Sequence, residues 1–238
     1  MTERVAPRRH GSYGIDAPLA PAFLAGLVVL YTVLAIITGR ARYWVAAAFA
    51  LAIGGLFVHT ALRGKFVVWA ELLERLRLRG DERILDLGCG RGAVLLLAAQ
   101  RLTTGRAVGV DLWRSMDQSG NSAEATQRNA VAEGVADRVD LHTGDLRALP
   151  FGDDGFDVVV SNFAIHNIRG RAGRETAIRE AVRVLRPGGR LLIIDVRGTR
   201  QHQAQLAMLG MHDVGRRGLA WWYSPARLVT ATKPKRGD

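Results

Sequence analysis

Cysteine is all but missing from this chain of 238 residues. Cys89 stands alone, which excludes an intramolecular disulfide framework and any site that needs several thiolate ligands, and which fits a reducing compartment. Lysine is nearly as scarce: only Lys65, Lys233 and Lys235 occur, so 30 of the 33 basic residues are arginine. Acidic residues number 22, leaving a formal charge of +11. Such a charge invites a nucleic acid or an anionic membrane as partner, and an arginine-skewed composition with no ligand accounts for it equally well. Internal repeats and low-complexity segments are also lacking.

What is present is apolar. At 48% hydrophobic and 23% charged residues the chain is too hydrophobic for disorder, and its mean hydropathy of +0.06 is high for so charged a composition. Its length exceeds the ~150-residue prior for one domain. One domain plus a compositionally distinct segment is the expectation.

That segment lies at the N-terminus. Residues 19–38 and 43–62 form two runs of twenty without a charged side chain, each enough for a helix of ~30 Å that spans a bilayer. Together they predict a transmembrane hairpin turning at residues 39–42. A cleavable signal peptide is the rival for the first run, but a second span follows it directly. Arg4, Arg8 and Arg9 precede the first run and Arg63, Lys65, Arg75, Arg77 and Arg79 follow the second, against Arg40 and Arg42 in the turn. This bias predicts both ends on the cytoplasmic side of the inner or plasma membrane. Two small-xxx-small pairs, Ala22/Gly26 and Ala50/Gly54, are the expected contact between the helices. Phe66, Trp69, Leu72, Leu73 and Leu76 then recur at helical spacing, as the first helix of a soluble domain or as an interfacial helix, the former favoured. The predicted division is 1–64 for the hairpin segment, 65–81 for a linker helix and 82–238 for the main domain.

From residue 83 short apolar runs alternate with helical stretches, the pattern of a parallel α/β sheet. Strands are predicted at 83–87, 107–110, 139–142, 156–160 and 190–196, with helices near 93–102, 123–133 and 174–185. Two weaker strand candidates surround Asp213 and residues 228–232.

The run ILDLGCGRG places Gly88, Gly90 and Gly92 between a strand and a helix, where bare backbone lets a ligand approach a helix N-terminus. This pattern alone also fits a dinucleotide fingerprint. Asp86 precedes the first glycine, where a carboxylate can receive an ammonium group. Asp111 ends the second strand, placed to accept both hydroxyls of a ribose, and Asp145 follows the third, where a carboxylate can meet an exocyclic amine.

Together these residues resemble the class I S-adenosylmethionine-dependent methyltransferases. DLGCGRG resembles their motif I, VGVD their acidic ribose motif, GDLRALPF their adenine-binding segment, FDVVVSNFAIHNI their fourth-strand motif, and EAVRVLRPGGRLLIID the helix, turn and fifth strand that follow. The resemblance spans about residues 82–233. It implies a seven-stranded Rossmann-like sheet with a reversed last strand, and S-adenosylmethionine as cofactor. Carried over by position, Asp86, Gly88 and Gly90 meet the cofactor's methionyl end and Asp111 its ribose. Leu112 packs on the adenine, Asp145 faces its amine with Leu146 beside it among the cofactor-binding residues, and Asn162 lines the mouth near the sulfonium. Trp113, Gln118 and Asn121, in a loop that departs from the family's usual helix, either roof the pocket or cap the loop.

No metal site is expected. An acceptor that must lose a proton needs a base, and His166, four residues after Asn162, is the candidate; a packing histidine beneath the cofactor is the other reading. His142, Asp195, His202 and His212 are weaker candidates. Enzymes that methylate amino groups of adenine or glutamine carry an Asn/Asp-Pro-Pro-aromatic motif after the fourth strand; Ser161-Asn162-Phe163-Ala164 has no proline. A thiol-based mechanism like that of arsenic-methylating relatives lacks its cysteines. The hairpin points to a lipophilic acceptor such as a quinone precursor, lipid or isoprenoid-type metabolite. The Trp221-Trp222-Tyr223 cluster either faces the headgroup zone, walls the pocket or packs on a strand. An RNA- or protein-directed methyltransferase and a non-catalytic S-adenosylmethionine-binding membrane protein are the alternative functions. Nucleic acid is disfavoured as partner because the arginines are dispersed, and the oligomeric state is left open.

Overall fold

A computed structural model describes residues 9–220, 223 and 225–237. Arg4, Arg8, Trp221 and Trp222 therefore lie outside the described residues. Seven strands form one sheet: β1 (Arg83–Leu87), β2 (Arg106–Asp111), β3 (Val139–Thr143), β4 (Phe156–Asn162), β5 (Leu185–Asp195), β6 (His212–Gly218) and β7 (Arg227–Thr232), in the order β3-β2-β1-β4-β5-β7-β6. The five strands from β3 at one edge to β5 are parallel, and β7 runs antiparallel to both β5 and β6. The expected α/β sheet with its reversed last strand is what the chain adopts. Leu185 pairs with Phe156 and the pairing resumes at Arg190, so the Pro-Gly-Gly turn is an irregularity inside β5 rather than a stretch ahead of it.

Helices cover both faces of the sheet, because the strands are apolar on both sides. On one face α3 (Lys65–Arg75) and α4 (Ala93–Ala99) pack on Ile84, Val158, Val160, Leu192 and Ile194, with α5 (Ala123–Ala132) beside them. On the other, α6 (Arg171–Val184) and α7 (Thr199–Met208) cover Leu85, Leu87, Val159 and Ile193. Sequence periodicity missed α7, whose polar run TRQHQAQLAM buries only Thr199, His202 and Leu206.

The apolar runs are helical. Helix α1 (Leu19–Thr38) ends on Gly39 in the left-handed region (φ 65°), and α2 (Ala41–His59) packs back along it. A π-helical turn, Thr60–Gly64, joins α2 to α3 without a break, so residues 41–75 form one helical run. Both helical runs are long and apolar enough to cross a membrane by length and composition. Phe66, Trp69, Leu72 and Leu73 of α3 are buried against the sheet's core, so this stretch shares the packing of the α/β domain.

One expectation for the hairpin needs correction. Ala50 is buried and a Cβ at Gly54 would meet Leu24 at 3.6 Å, but Ala22 and Gly26 face outward, and a Cβ at Gly26 would meet nothing within 4 Å. The inward stripe of α1 runs through Leu24, Val28, Tyr31 and Ala35. Ala22 and Gly26 fall outside that stripe on a 3.6-residue helix.

Candidate active site

A cavity of about 530 Å³ opens at the carboxyl ends of β1, β2 and β4, where the sheet's strand order reverses and ligands of open α/β sheets bind. All eight residues expected to hold the cofactor line it: Asp86, Gly88, Gly90, Asp111, Leu112, Asp145, Leu146 and Asn162.

The glycine loop is shaped by close approach. Gly88 has φ 74°, and a Cβ there would fall 2.2 Å from the Ala164 methyl. Gly90 has φ 51°, and a Cβ there would fall 2.5 Å from Gln118 Oε1. Only glycine satisfies both the dihedral and the space.

Asp111 binds this loop to the next. Its Oδ2 accepts from the Gly90 N–H (2.8 Å), and its Oδ1 accepts from the Trp113 N–H (2.6 Å) and the Asn121 amide (3.2 Å). Gln118 accepts from the Arg91 N–H at 2.7 Å and donates to Asp16 at 2.7 Å. Gln118 and Asn121 thus wall the cavity, whereas Trp113 turns its indole N–H to Thr143 and caps the edge of β3.

Asp86 is 1% exposed, and its Oδ1 has no hydrogen-bond partner among the described residues. Burial, with the Asp111 charge adding to it, pushes its carboxyl up to about 8. A buried acceptor left unsatisfied beside an open cavity calls for a cationic donor from a ligand. The methionyl ammonium of S-adenosylmethionine is such a donor, so the residues present fit that cofactor. Asp145 takes a bidentate grip from Arg147, whose Nη2 lies 2.6 Å from Oδ2, and this holds its carboxyl below the usual range. Burial pushes the Cys89 thiol well up, away from nucleophilic use. Asp117 also lines the cavity, and burial followed by the Asp111 charge raises its carboxyl.

His166 does not line the cavity, although its neighbours Phe163, Ala164 and Asn167 do. Its backbone N–H donates to Asp195 Oδ2 at 3.0 Å, and its side-chain Nδ1 lies 2.6 Å from Asp195 Oδ1, off the line a hydrogen bond needs. His142 meets Phe151 edge to face, and His202 is buried on the inner face of α7; neither these nor His212 and Asp195 reach the cavity.

Sequence reading missed the N-terminal side of the site. Residues 10–17 cross the loop after β2 as a strap. Tyr13 and the backbone at His10 and Gly11 bond to Glu133, Ser12 exchanges bonds with Asn129, Ile15 pairs with Ser119, and the Ala17 N–H donates to the Asp117 carbonyl. Asp16 and Lys65 both line the cavity, with Lys65 Nζ 2.9 Å from Asp16 Oδ2 and Lys65 itself 1% exposed. On α3, Trp69 donates its indole N–H to Asn162 Oδ1 at 2.8 Å. The one visible hint was Lys65, one of only three lysines, standing just past an apolar run in an arginine-rich chain.

Residues 85–193 match the family described as a methyltransferase domain. Over 129 residues the chain is 36% identical to the ubiquinone/menaquinone biosynthesis C-methyltransferase UbiE of Roseobacter denitrificans, covering 54% of this chain and 48% of that protein. It is 37% identical over 131 residues to the methyltransferase GfsG of Streptomyces halstedii, covering 54% and 44%. The chain spans about half the length of these curated relatives. The fold is shared with the YcgJ protein of Bacillus subtilis at a TM-score of 0.56 and 19% identity, over 71% of this chain and 98% of that one.

Proposed function

With an S-adenosylmethionine-dependent methyltransferase domain as premise, its methyl donor S-adenosylmethionine, we propose that this protein is a membrane-anchored enzyme that methylates a small lipophilic acceptor. The bilayer is its second partner: the two apolar helices anchor it to the inner or plasma membrane, with the methyltransferase domain on the cytoplasmic side.

The Asp16–Lys65 pair carries the acceptor assignment. Asp16 precedes the hairpin, Lys65 follows it, and their ion pair is part of the cavity wall. The base of the hairpin and the mouth of the cavity are therefore one place, and an acceptor dissolved in the bilayer reaches the site without crossing water. The likeness to a quinone C-methyltransferase agrees with an acceptor of this kind.

The cofactor supplies an already activated methyl group, so the protein's tasks are alignment and exclusion of water. Asp86 receives the ammonium and Asp111 the ribose. Leu112 packs against the adenine, with Asp145 and Leu146 at its rim. Asn162, held by Trp69, faces the reacting end. His166 we place as the holder of the turn after β4, through Asp195, rather than as the base.

The test is to incubate the purified full chain with methyl-labelled S-adenosylmethionine and a total lipid extract. Label appearing in the organic phase is expected, and none there overturns the lipophilic acceptor. Retention in membranes after alkaline carbonate washing is expected of the anchor; release overturns it.

A further inference from the structure

A second cavity, of about 560 Å³, lies between the strap and the π-helical turn at the foot of the hairpin. It shares no lining residue with the cofactor site. Arg9 and Arg63 stand on its walls, and no carboxylate lines it. The Arg9 guanidinium lies over the Phe66 ring, 4.1 Å from its centroid, and neither Arg9 nor Arg63 has a carboxylate partner among the described residues. The Tyr13 hydroxyl is already committed to Glu133. Leu62, next to Arg63 on the turn, is 42% exposed.

Two guanidiniums with no carboxylate facing them form an anion site, and the planar fork of arginine suits phosphate oxygens. Its height in the fold says which phosphate. Residues 60–63 close the apolar run, at the level where a spanning helix meets headgroups, and exposed Leu62 adjoins acyl chains there. Basic pockets at the cytoplasmic ends of spanning helices take anionic headgroups.

We propose that this cavity binds the phosphate of an anionic phospholipid, which fastens the strap to the hairpin foot. The site rests on the membrane reading above. Since the strap also carries Asp16, the lipid sits one short segment away from the cofactor cavity wall.

The test uses the full chain in a neutral detergent. Phosphatidylglycerol, phosphatidylcholine and inorganic phosphate are added separately, and lipid retention by native mass spectrometry and the unfolding temperature are read. Phosphatidylglycerol should be held about tenfold more tightly than phosphatidylcholine, the effect of one charge-assisted bond, and should raise the unfolding temperature. R9Q/R63Q should abolish that preference while cofactor binding by calorimetry stays intact. R63Q alone, at an exposed residue, should lose much of it and keeps the test decisive if the double variant unfolds. A preference unchanged in R63Q, equal retention of phosphatidylcholine, or equal stabilisation by millimolar inorganic phosphate overturns the proposal. Carbonate release alone would overturn the anchor, and absent label in lipid the acceptor, so each failure is told apart from failure of the headgroup site.

Discussion

Trp69 and Asn162, far apart in sequence, meet through one hydrogen bond: the indole Nε1 donates to the amide Oδ1 at 2.8 Å. Trp69 is 0% exposed, and the Tyr223 hydroxyl approaches the same oxygen at 3.4 Å. The helical run that descends from the hairpin therefore sets the orientation of a side chain at the mouth of the cavity.

Replacing Trp69 with Phe keeps an aromatic ring in the core but withdraws the donor from Asn162. Asn162 is half-buried and keeps the Tyr223 hydroxyl near its oxygen, so the lost bond costs about 1 kcal/mol, and the variant should unfold at lower temperature. Calorimetric affinity for S-adenosylmethionine should be less affected than turnover in the lipid-extract assay. Equal losses in both would show that Trp69 serves folding alone.

Asp86 makes the ligand-free protein sensitive to pH. Its carboxyl is raised to about 8 in the fold against an ordinary 3.8, so between these values the unfolded chain releases the proton first. The stability it contributes is whole below about pH 4 and is lost as pH rises toward 8, at up to about 1.4 kcal/mol per unit. Asp86→Asn should flatten that decline in denaturant titrations. In the parent, cofactor binding needs the ionised form, so affinity should climb from pH 6 to 8 by up to about tenfold per unit with proton release, which calorimetry in two buffers detects.

Gly88→Ala places a methyl 2.2 Å from the Ala164 Cβ at φ 74°. Left-handed strain and overpacking together should cost about 2–4 kcal/mol, with a sharp fall in cofactor affinity. Adding Ala164→Gly should restore part of the stability, because it removes the clash and leaves the strain. No recovery in the double variant would locate the damage elsewhere in the loop.

Lys65→Met strips a buried ammonium from Asp16, which keeps the Gln118 donor at 2.7 Å and some contact with water. The loss should fall at about 2–3 kcal/mol, below the 3–5 of a fully buried broken pair. Asp16→Asn combined with Lys65→Met should be less damaging than the two single losses added. Strict additivity in denaturant unfolding would mean the pair is not coupled.

His166→Gln tests the role given to that side chain. Gln keeps the backbone N–H bond to Asp195 and removes only the imidazole's close approach to that carboxylate, so the unfolding temperature should fall modestly while the pH profile of label transfer keeps its shape. Loss of the acid limb of that profile would restore His166 as the base.

Much of the molecule was legible in its local patterns. Short apolar runs marked the strands, two uncharged runs of twenty marked the apolar helices, helical spacing marked α3, and the glycines and acidic residues at strand ends marked the cavity's floor. Each of these signals is written within a few residues, because a strand, a helix or a tight turn is decided by near neighbours. The expectation for Gly26 failed for a related reason: a small-xxx-small pair identifies a narrow patch on a helix but not which face the partner helix will cover.

What only the tertiary structure decided are contacts between distant segments. The strap's bonds to Asn129 and Glu133, the Lys65–Asp16 pair, the Trp69–Asn162 bond and the turning of His166 toward Asp195 each join residues that have no periodic relation in the chain. Such contacts form because burying a charge or an amide demands a partner. Which partner is within reach depends on how the sheet and hairpin come together, so neither segment carries its mate's position in its own sequence.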